Sequence, residues 1–385
     1  MRPAVREAAD ELRSPTSVSR VIRAGRVGPR PDEAALHACR TALPTVSRTF
    51  ALTIRVLPRP LRDPVTVAYL LCRLADLLED ATGCDPAVRI EGLESLAQGI
   101  ATAAFSPAEL ATALAPAESL PLPDDAGTRL FRNRETVFRA YASLSGETQE
   151  AVSHWVQAMA LGMATFVERE RRAGDSASPV RVVLGTAEEM QLYAYYVAGT
   201  VGHLLTDLFA LHLGPGATDP ERLRALAAPF GLGLQYTNIL QDLAEDRRRG
   251  WSYIPEELAR AHGTSMQVFE EPAERSRALR VIGSVVQEAV AYLDRAMEYT
   301  LLLPRRTPRL RLFCVWPVLF AMRTLVRIWG EEQVLLGAER VRITRPEVRR
   351  VIGLATASCL SNRALDRLYR REKTRLDERM ASRPI

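Results

Sequence analysis

The amino-acid sequence predicts an all-α protein built as a single large helical domain. Three observations carry that reading. Apolar residues recur at three- and four-residue spacing through 64–80, 129–170, 186–213, 221–247, 274–303, 310–337 and 346–373, the period that turns one helix face toward a core. Strand-like alternation is absent over any useful length, and no GxGxxG follows a strand; the glycines of GLGLQ (231–235) lie within a helical pattern. The punctuation is that of helices joined by loops: Pro58, Pro60 and Pro64 ahead of the first acidic run, PAESLPLPDD at 116–125, and LGPGATDP at 213–220 between two long helical stretches.

Each of those breaks is short, and the helices on both sides carry apolar faces that need partners. One domain over 33–360 is therefore expected. Residues 1–32 mix Arg, Pro, Gly and Ser without a sustained apolar period and are expected to form a mobile arm. Residues 361–385 are polar and Arg-rich. There is no internal repeat of about 20–50 residues.

Composition narrows the functional classes. The chain has 385 residues, 47% hydrophobic and 25% charged, enough apolar content to bury a substantial core. The formal charge of +5 is carried by arginine, with Lys373 the single lysine. That bias reads as the imprint of a GC-rich genome; a nucleic-acid partner would call for a localised basic stripe interleaved with aromatics. The five cysteines, Cys39, Cys72, Cys84, Cys314 and Cys359, are scattered without CxxC spacing, which argues against a disulfide framework or zinc site and fits a reducing, cytoplasmic setting. The N-terminus lacks the apolar core of a secretory signal, and no uncharged stretch reaches the roughly 18–20 residues needed to span a bilayer. No transmembrane segment is expected, while peripheral contact at the inner face of the membrane stays open.

Two acidic stretches carry the chemistry. In VTVAYLLCRLADLLED (65–80), helical geometry puts Arg73, Asp76 and Asp80 on one face with Glu79 close beside it, and leucines cover the rest. In GLGLQYTNILQDLAED (231–246), Gln235, Asn238, Asp242 and Asp246 form a second polar stripe spaced 3, 4 and 4, surrounded by Leu234, Ile239, Leu240 and Leu243. An ordinary solvated helix face is the plain alternative for any one DxxxD. Narrow stripes with apolar flanks, occurring twice, weigh against it, because buried carboxylates need cations. An all-oxygen donor set without His or Cys suits Mg²⁺, with Mn²⁺ as the other candidate, and two facing DxxxD helices would hold Mg²⁺ gripping a diphosphate. Proton transfer by paired carboxylates fits four clustered acids poorly.

The ordered set VSRTF (46–50), RLADLLED (73–80), GMA (162–164), YAYYVAGTVG (193–202), QYTNILQDLAED (235–246), GWSYIP (250–255) and FCVWP (313–317) resembles the squalene/phytoene synthases, head-to-head prenyl transferases, over about 33–350. The resemblance implies a helical fold of the isoprenoid (class I terpenoid) synthase type with a central cavity. It makes Asp76, Asp80, Asp242 and Asp246 the metal ligands, supported by Glu79 and Asn238. It assigns Ser47, Arg48, Arg73, Gln235 and Arg248 to diphosphate, where guanidinium forks match phosphate oxygens; for Arg73 a salt bridge to Asp76 is the alternative. Tyr193 matches a tyrosine of the first half-reaction, a proton relay on cyclopropane formation, with plain packing as its alternative. Phe50, Val197, Ala198, Gly202, Leu205, Leu234, Phe313, Cys314 and Pro317 would line the prenyl pocket, and Arg342 and Arg345 fall in a region associated with NADPH phosphate.

The implied activity joins two farnesyl diphosphates through a cyclopropyl diphosphate to squalene, with Mg²⁺ and NADPH. FCVWPVLFAMRTL (313–325) and VRITR (341–345) look like the squalene-synthase branch. Phytoene, dehydrosqualene or the cyclopropyl diphosphate itself stay open as products. A non-catalytic assembly paralogue would be expected to have lost the aspartates that are present here. Two departures stand out: Gln241 where many relatives carry Arg, and Trp251 where a basic residue is common, with Arg247, Arg248 and Arg249 as a candidate replacement for the missing charge.

Overall fold

The computed structural model describes residues 31–81, 84–101, 106–122, 124–173, 181–330 and 341–382. Most of the arm expected over 1–32 lies outside the described residues, as does the end of the helical pattern expected over 310–337. Helices dominate, as the apolar periodicity requires. The one β feature among the described residues is a parallel pairing of two-residue strands, β1 (Arg181–Val182) and β2 (Trp251–Ser252).

The helices gather into two compact units. Among the described residues, the first takes in those up to 173 together with 203–215, and the second those of 181–202 and from 216 onward. In the first unit, α1 (Glu33–Val46) starts at Asp32, whose carboxylate accepts from the Ala35 amide, and α2 (Arg48–Val56) starts at Ser47, whose hydroxyl accepts from Phe50. The acidic helix α3 (Arg59–Glu79) opens with Pro60 in its first turn and buries Leu70, Leu71, Leu74, Leu77 and Leu78. Next come α4 (Pro86–Ala101), α5 (Pro107–Ala113), α6 (Ala126–Arg132), α7 (Arg134–Ala142) and α8 (Gly146–Ala173). The unbroken period over 129–170 thus resolves into three helices. Asn133 and the segment around Ser143–Ser145 interrupt the backbone while the apolar spacing runs on past them.

The second unit opens with α9 (Ala187–Ala194), capped by a reciprocal Thr186–Glu189 box, and passes into a π-helical turn at Tyr195–Gly199 before α10 (Thr200–Leu213), which runs on into the first unit's residues. The wide turn occurs where this chain presses against α11 (Pro220–Arg248). A Cβ on Gly231 would lie 2.0 Å from the Ala198 carbonyl oxygen, and one on Gly202 would lie 2.0 Å from that of Ala227. Only glycine permits so close a backbone approach. Between α10 and α11, Gly214 and Gly216 take φ of 74° and 75°, the left-handed region that explains the LGPG break.

Beyond α11 lie α12 (Glu256–Ala261), α13 (Arg275–Leu302), α14 (Pro308–Gly330), α15 (Arg345–Ser358) and α16 (Asn362–Ala381). The polar segment after 360 is therefore mostly helix, docked through buried Leu365, Tyr369 and Leu376. Helix α14 is long and apolar enough to cross a membrane, yet 83% of its apolar window is buried inside the protein, which makes it a core helix.

Candidate active site

In the first unit, Tyr69, Arg73, Asp76 and Asp80 follow one another along α3 at three- and four-residue steps. The Arg73 guanidinium stands 3.6 Å from an Asp76 oxygen and 3.8 Å from an Asp80 oxygen, bridging both carboxylates of the motif. Burial pushes the Asp76 carboxyl up to about 7; Arg73 opposes that shift, and the like charge of Asp80 adds to it. Burial thus outweighs the cation beside the carboxylate. The alternative read from the sequence for Arg73, a salt bridge to Asp76, is realised, but loosely and shared with Asp80. Glu79 is buried, whereas the Asp80 side chain is 61% exposed, so these neighbours meet different surroundings. The end of the acidic helix is fixed by Arg89, which donates to the Glu79 carbonyl and pairs with Glu170 at 2.9 Å.

Ser47, Arg48 and Phe50 sit at the start of α2. Ser47 is committed to capping, accepting from Phe50 N at 3.2 Å, while Arg48 and Phe50 are exposed. The Phe50 ring lies 5.0 Å from that of Tyr69. Burial raises the Tyr69 hydroxyl pKa, and a hydrogen bond with Ser47 offsets part of that rise. Tyr69 escaped the sequence reading although a signal existed: it lies one turn before Arg73 on the same stripe.

In the second unit, α11 carries Gln235, Asn238, Asp242 and Asp246. Asn238 is exposed and the other three are half-buried, so the stripe reaches solvent along its length. Gln241, the departure from the family pattern, donates to the Val341 carbonyl and ties α11 to the start of VRITR. The arginines after the motif turn elsewhere. Arg247 is buried, bonded to Glu270 at 2.7 Å and to the Met266 carbonyl at 2.8 Å, and Arg249 pairs with Glu245. Of the three, Arg248 alone is engaged in neither arrangement, and it is exposed. Trp251 pairs with Arg181 in the short parallel ladder.

Tyr193 is buried and stacks on Tyr253, with ring centroids 5.2 Å apart. Tyr253 belongs to GWSYIP, and its role as a stacking partner had no local signal. Among the pocket candidates, Val197, Ala198, Leu205, Leu234 and Pro317 are half-buried, while Phe313 and Cys314 are buried in α14. Burial drives the Cys314 thiol pKa well above its ordinary range, consistent with a wall residue and not a nucleophile. Gly202 is used for the close approach to α11. Arg342 and Arg345 are exposed at the entry to α15.

Among the described residues, no group of three or more His, Cys, Asp or Glu side chains converges as a metal cage. The residues present nonetheless fit a hard cation. Mg²⁺ is held by one or two carboxylates together with substrate phosphate and water, and Asp76 and Asp80 offer an all-oxygen pair one turn apart.

A bundle of helices carrying two acidic stripes defines a protein of the isoprenoid-synthase type, and solved structures of that type share its architecture. The TcSQS complex with BPH1237 matches at a TM-score of 0.75 and 25% identity, over 91% of this chain and 94% of that one. A ligand-bound dehydrosqualene synthase shares the fold at a TM-score of 0.56 and 19% identity, over 84% of this chain and 96% of that one. The squalene/phytoene synthase family model matches residues 43–347. The chain belongs to the squalene/phytoene synthase family. Squalene synthase ERG9 of Candida albicans is 27% identical over 310 residues, 80% of this chain but 65% of that protein, so the match spans just under two thirds of the relative. Squalene synthase of Cyberlindnera jadinii is 27% identical over 346 residues, 89% of this chain and 71% of that protein.

Proposed function

We propose that this protein condenses two farnesyl diphosphates head to head, through a cyclopropyl diphosphate, and reduces the product to squalene with NADPH. The observation that carries the reading is the Arg73 guanidinium shared between Asp76 and Asp80 on a helix whose other faces are leucine. Such a stripe neutralises and orients a polyanion at the edge of an apolar core, and ionisation of an allylic diphosphate needs that combination. Asp76 and Asp80 on α3, with Glu79 in support, would hold Mg²⁺, and so, on α11, would Asp242 and Asp246 with Asn238 in support. The ion, when bound, neutralises the charge that builds on the departing diphosphate.

The chain's own groups supply the rest. Arg73 and Arg48 donate N–H groups to diphosphate oxygens, and Gln235 and Arg248 do the same on α11. Ser47 can join them through its O–H, since the cap uses only a lone pair of the hydroxyl oxygen. Tyr193, held by its stack on Tyr253, is the residue to relay the proton lost as the cyclopropane closes. Buried Phe313 and Cys314 present an apolar, water-excluding surface to a prenyl chain and leave a carbocation without a nucleophile. Exposed Arg342 and Arg345 would hold the phosphates of NADPH, which when bound would supply hydride chemistry.

The test is incubation of the purified protein with farnesyl diphosphate and Mg²⁺, with and without NADPH, and identification of the hydrocarbon by mass spectrometry. Squalene formed only with NADPH supports the assignment. A C40 product from geranylgeranyl diphosphate, with farnesyl diphosphate inert, would falsify it.

A further inference from the structure

Away from the acidic stripes, the second unit contains a cavity of about 450 Å³ between α14, α15 and α16. Its wall is built from Arg323, Val326 and Arg327 of α14, Glu347 of α15, and Arg375, Glu378 and Arg379 of α16. We propose that this cavity is a binding site for a phosphomonoester, carried either on a lipid headgroup or on a free metabolite.

The wall presents four guanidiniums and two carboxylates, and the carboxylates within it are largely committed. Glu347 accepts from Arg323 and Arg327, both at 3.1 Å, and from the backbone and hydroxyl of Thr344, both at 2.8 Å. Glu372, buried behind the wall, accepts from Arg323 and Arg375, each at 2.7 Å. Glu378 is exposed on α16. A cation entering here would meet Glu347 with its oxygens already engaged by two guanidiniums and Thr344. An anion would meet donors: a guanidinium has five N–H groups, and Arg375 and Arg379 each commit a single nitrogen in the described contacts, to Glu372 and to the Val326 carbonyl respectively.

These donors are also held in place. Arg379 lies directly over Gly330, where a Cβ would stand 1.8 Å from its Nη1, and it caps the last turn of α14 through the Val326 carbonyl at 2.7 Å. Arg323 is bridged between carboxylates of α15 and α16. Fixed guanidiniums lose little freedom on binding, and each planar fork can donate to a pair of phosphate oxygens. The volume falls within the range of small-ligand sites and exceeds the needs of a bare inorganic ion, which argues for an organic phosphate.

The experiment uses the full-length protein and two probes, sn-glycerol 3-phosphate by calorimetry and phosphatidylcholine vesicles containing phosphatidic acid by co-sedimentation. Arg375→Gln and Arg379→Gln remove one wall guanidinium each. Arg370→Gln removes the same charge from the far side of α16, where Arg370 pairs with half-buried Asp366. Saturable binding of either probe, weakened at least about tenfold by each wall variant and unchanged by Arg370→Gln, is expected. Binding of both probes identifies the phosphomonoester itself as the ligand, and binding confined to vesicles identifies the lipid headgroup. Absence of binding overturns the proposal. Equal weakening by Arg370→Gln, or binding that survives both wall variants, overturns it too, because either result places the anion elsewhere.

Discussion

Arg311 on α14 has no exposed surface, and its guanidinium meets three neutral acceptors and no carboxylate. Nε donates to the Cys359 carbonyl at 2.7 Å, Nη1 to the Leu303 carbonyl at 2.7 Å, and Nη2 to Asn362 Oδ1 at 2.6 Å. One side chain therefore joins the chain just past α13, the end of α15 and the start of α16. Replacing it with methionine, similar in length and apolar, removes three hydrogen bonds to a charged donor, each contributing about 1.5–3 kcal/mol, and strands buried carbonyls. Against that stands relief of the cation's desolvation, several kcal/mol for a buried ion. Burial does lower the Arg311 pKa, so that opposing contribution is real. The net expectation for Arg311→Met is a loss of about 3 kcal/mol, or roughly 6–12 °C in Tm for a unit of this size. Urea unfolding followed by far-UV circular dichroism and by the fluorescence of Trp316 and Trp329, on the same helix, reads it directly. A neutral or stabilising substitution would show that desolvation outweighs the three bonds and would refute the reasoning.

Three further outcomes follow from the geometry. Asp76, with its folded pKa raised to about 7, binds its proton more tightly folded than unfolded, so its contribution to stability is full in acid and fades as pH rises toward 7. In the presence of a chelator, Asp76→Asn should therefore raise Tm at pH 8 and change it little at pH 4, and a drop at pH 8 would contradict the assignment. Gly231→Val drives a side chain into the Ala198 carbonyl and should cost about 1–3 kcal/mol or more by overpacking, measured by urea midpoint, with an unchanged midpoint as the contrary result. Gln241→Ala frees the Val341 carbonyl, so hydrogen exchange across 341–345 should speed up while α13 stays protected; unchanged exchange would show that Arg327, which donates to the Arg342 carbonyl at 2.6 Å, holds the segment alone.

What could be read in the sequence was what depends on short spacing. The stripes at Arg73–Asp76–Asp80 and Gln235–Asn238–Asp242–Asp246 are properties of a helix and its period, and the helix supplies the geometry. The break at LGPG was legible because two glycines there adopt φ near +75°. Breaks at Asn133 and Ser143 were not, since the apolar period continues through them and only backbone geometry registers the interruption. The π turn at Tyr195–Gly199 answers a neighbour, α11, more than 20 residues along the chain, and no local pattern announces it. Gln241 could be flagged as unusual, but its partner, Val341, is 100 residues away.

Arginine usage shows the same division more sharply. The near-absence of lysine reads in the sequence as a nucleotide bias, and that reading leaves the individual positions without a role. In the fold, Arg89, Arg134, Arg247 and Arg311 are all buried, and each divides its fork between several acceptors, at least one of them a backbone carbonyl. Arg134, for example, reaches the Ala111 and Phe131 carbonyls and Glu118 while lying over the Phe131 ring. A lysine ammonium is a strongly hydrated point charge that could not span such acceptors from one position, and its desolvation would go largely uncompensated. Whatever bias supplied the arginines, the structure has made several of them irreplaceable by the other basic residue. The same property lets Arg73 stand between two carboxylates through a single nitrogen, Nη1.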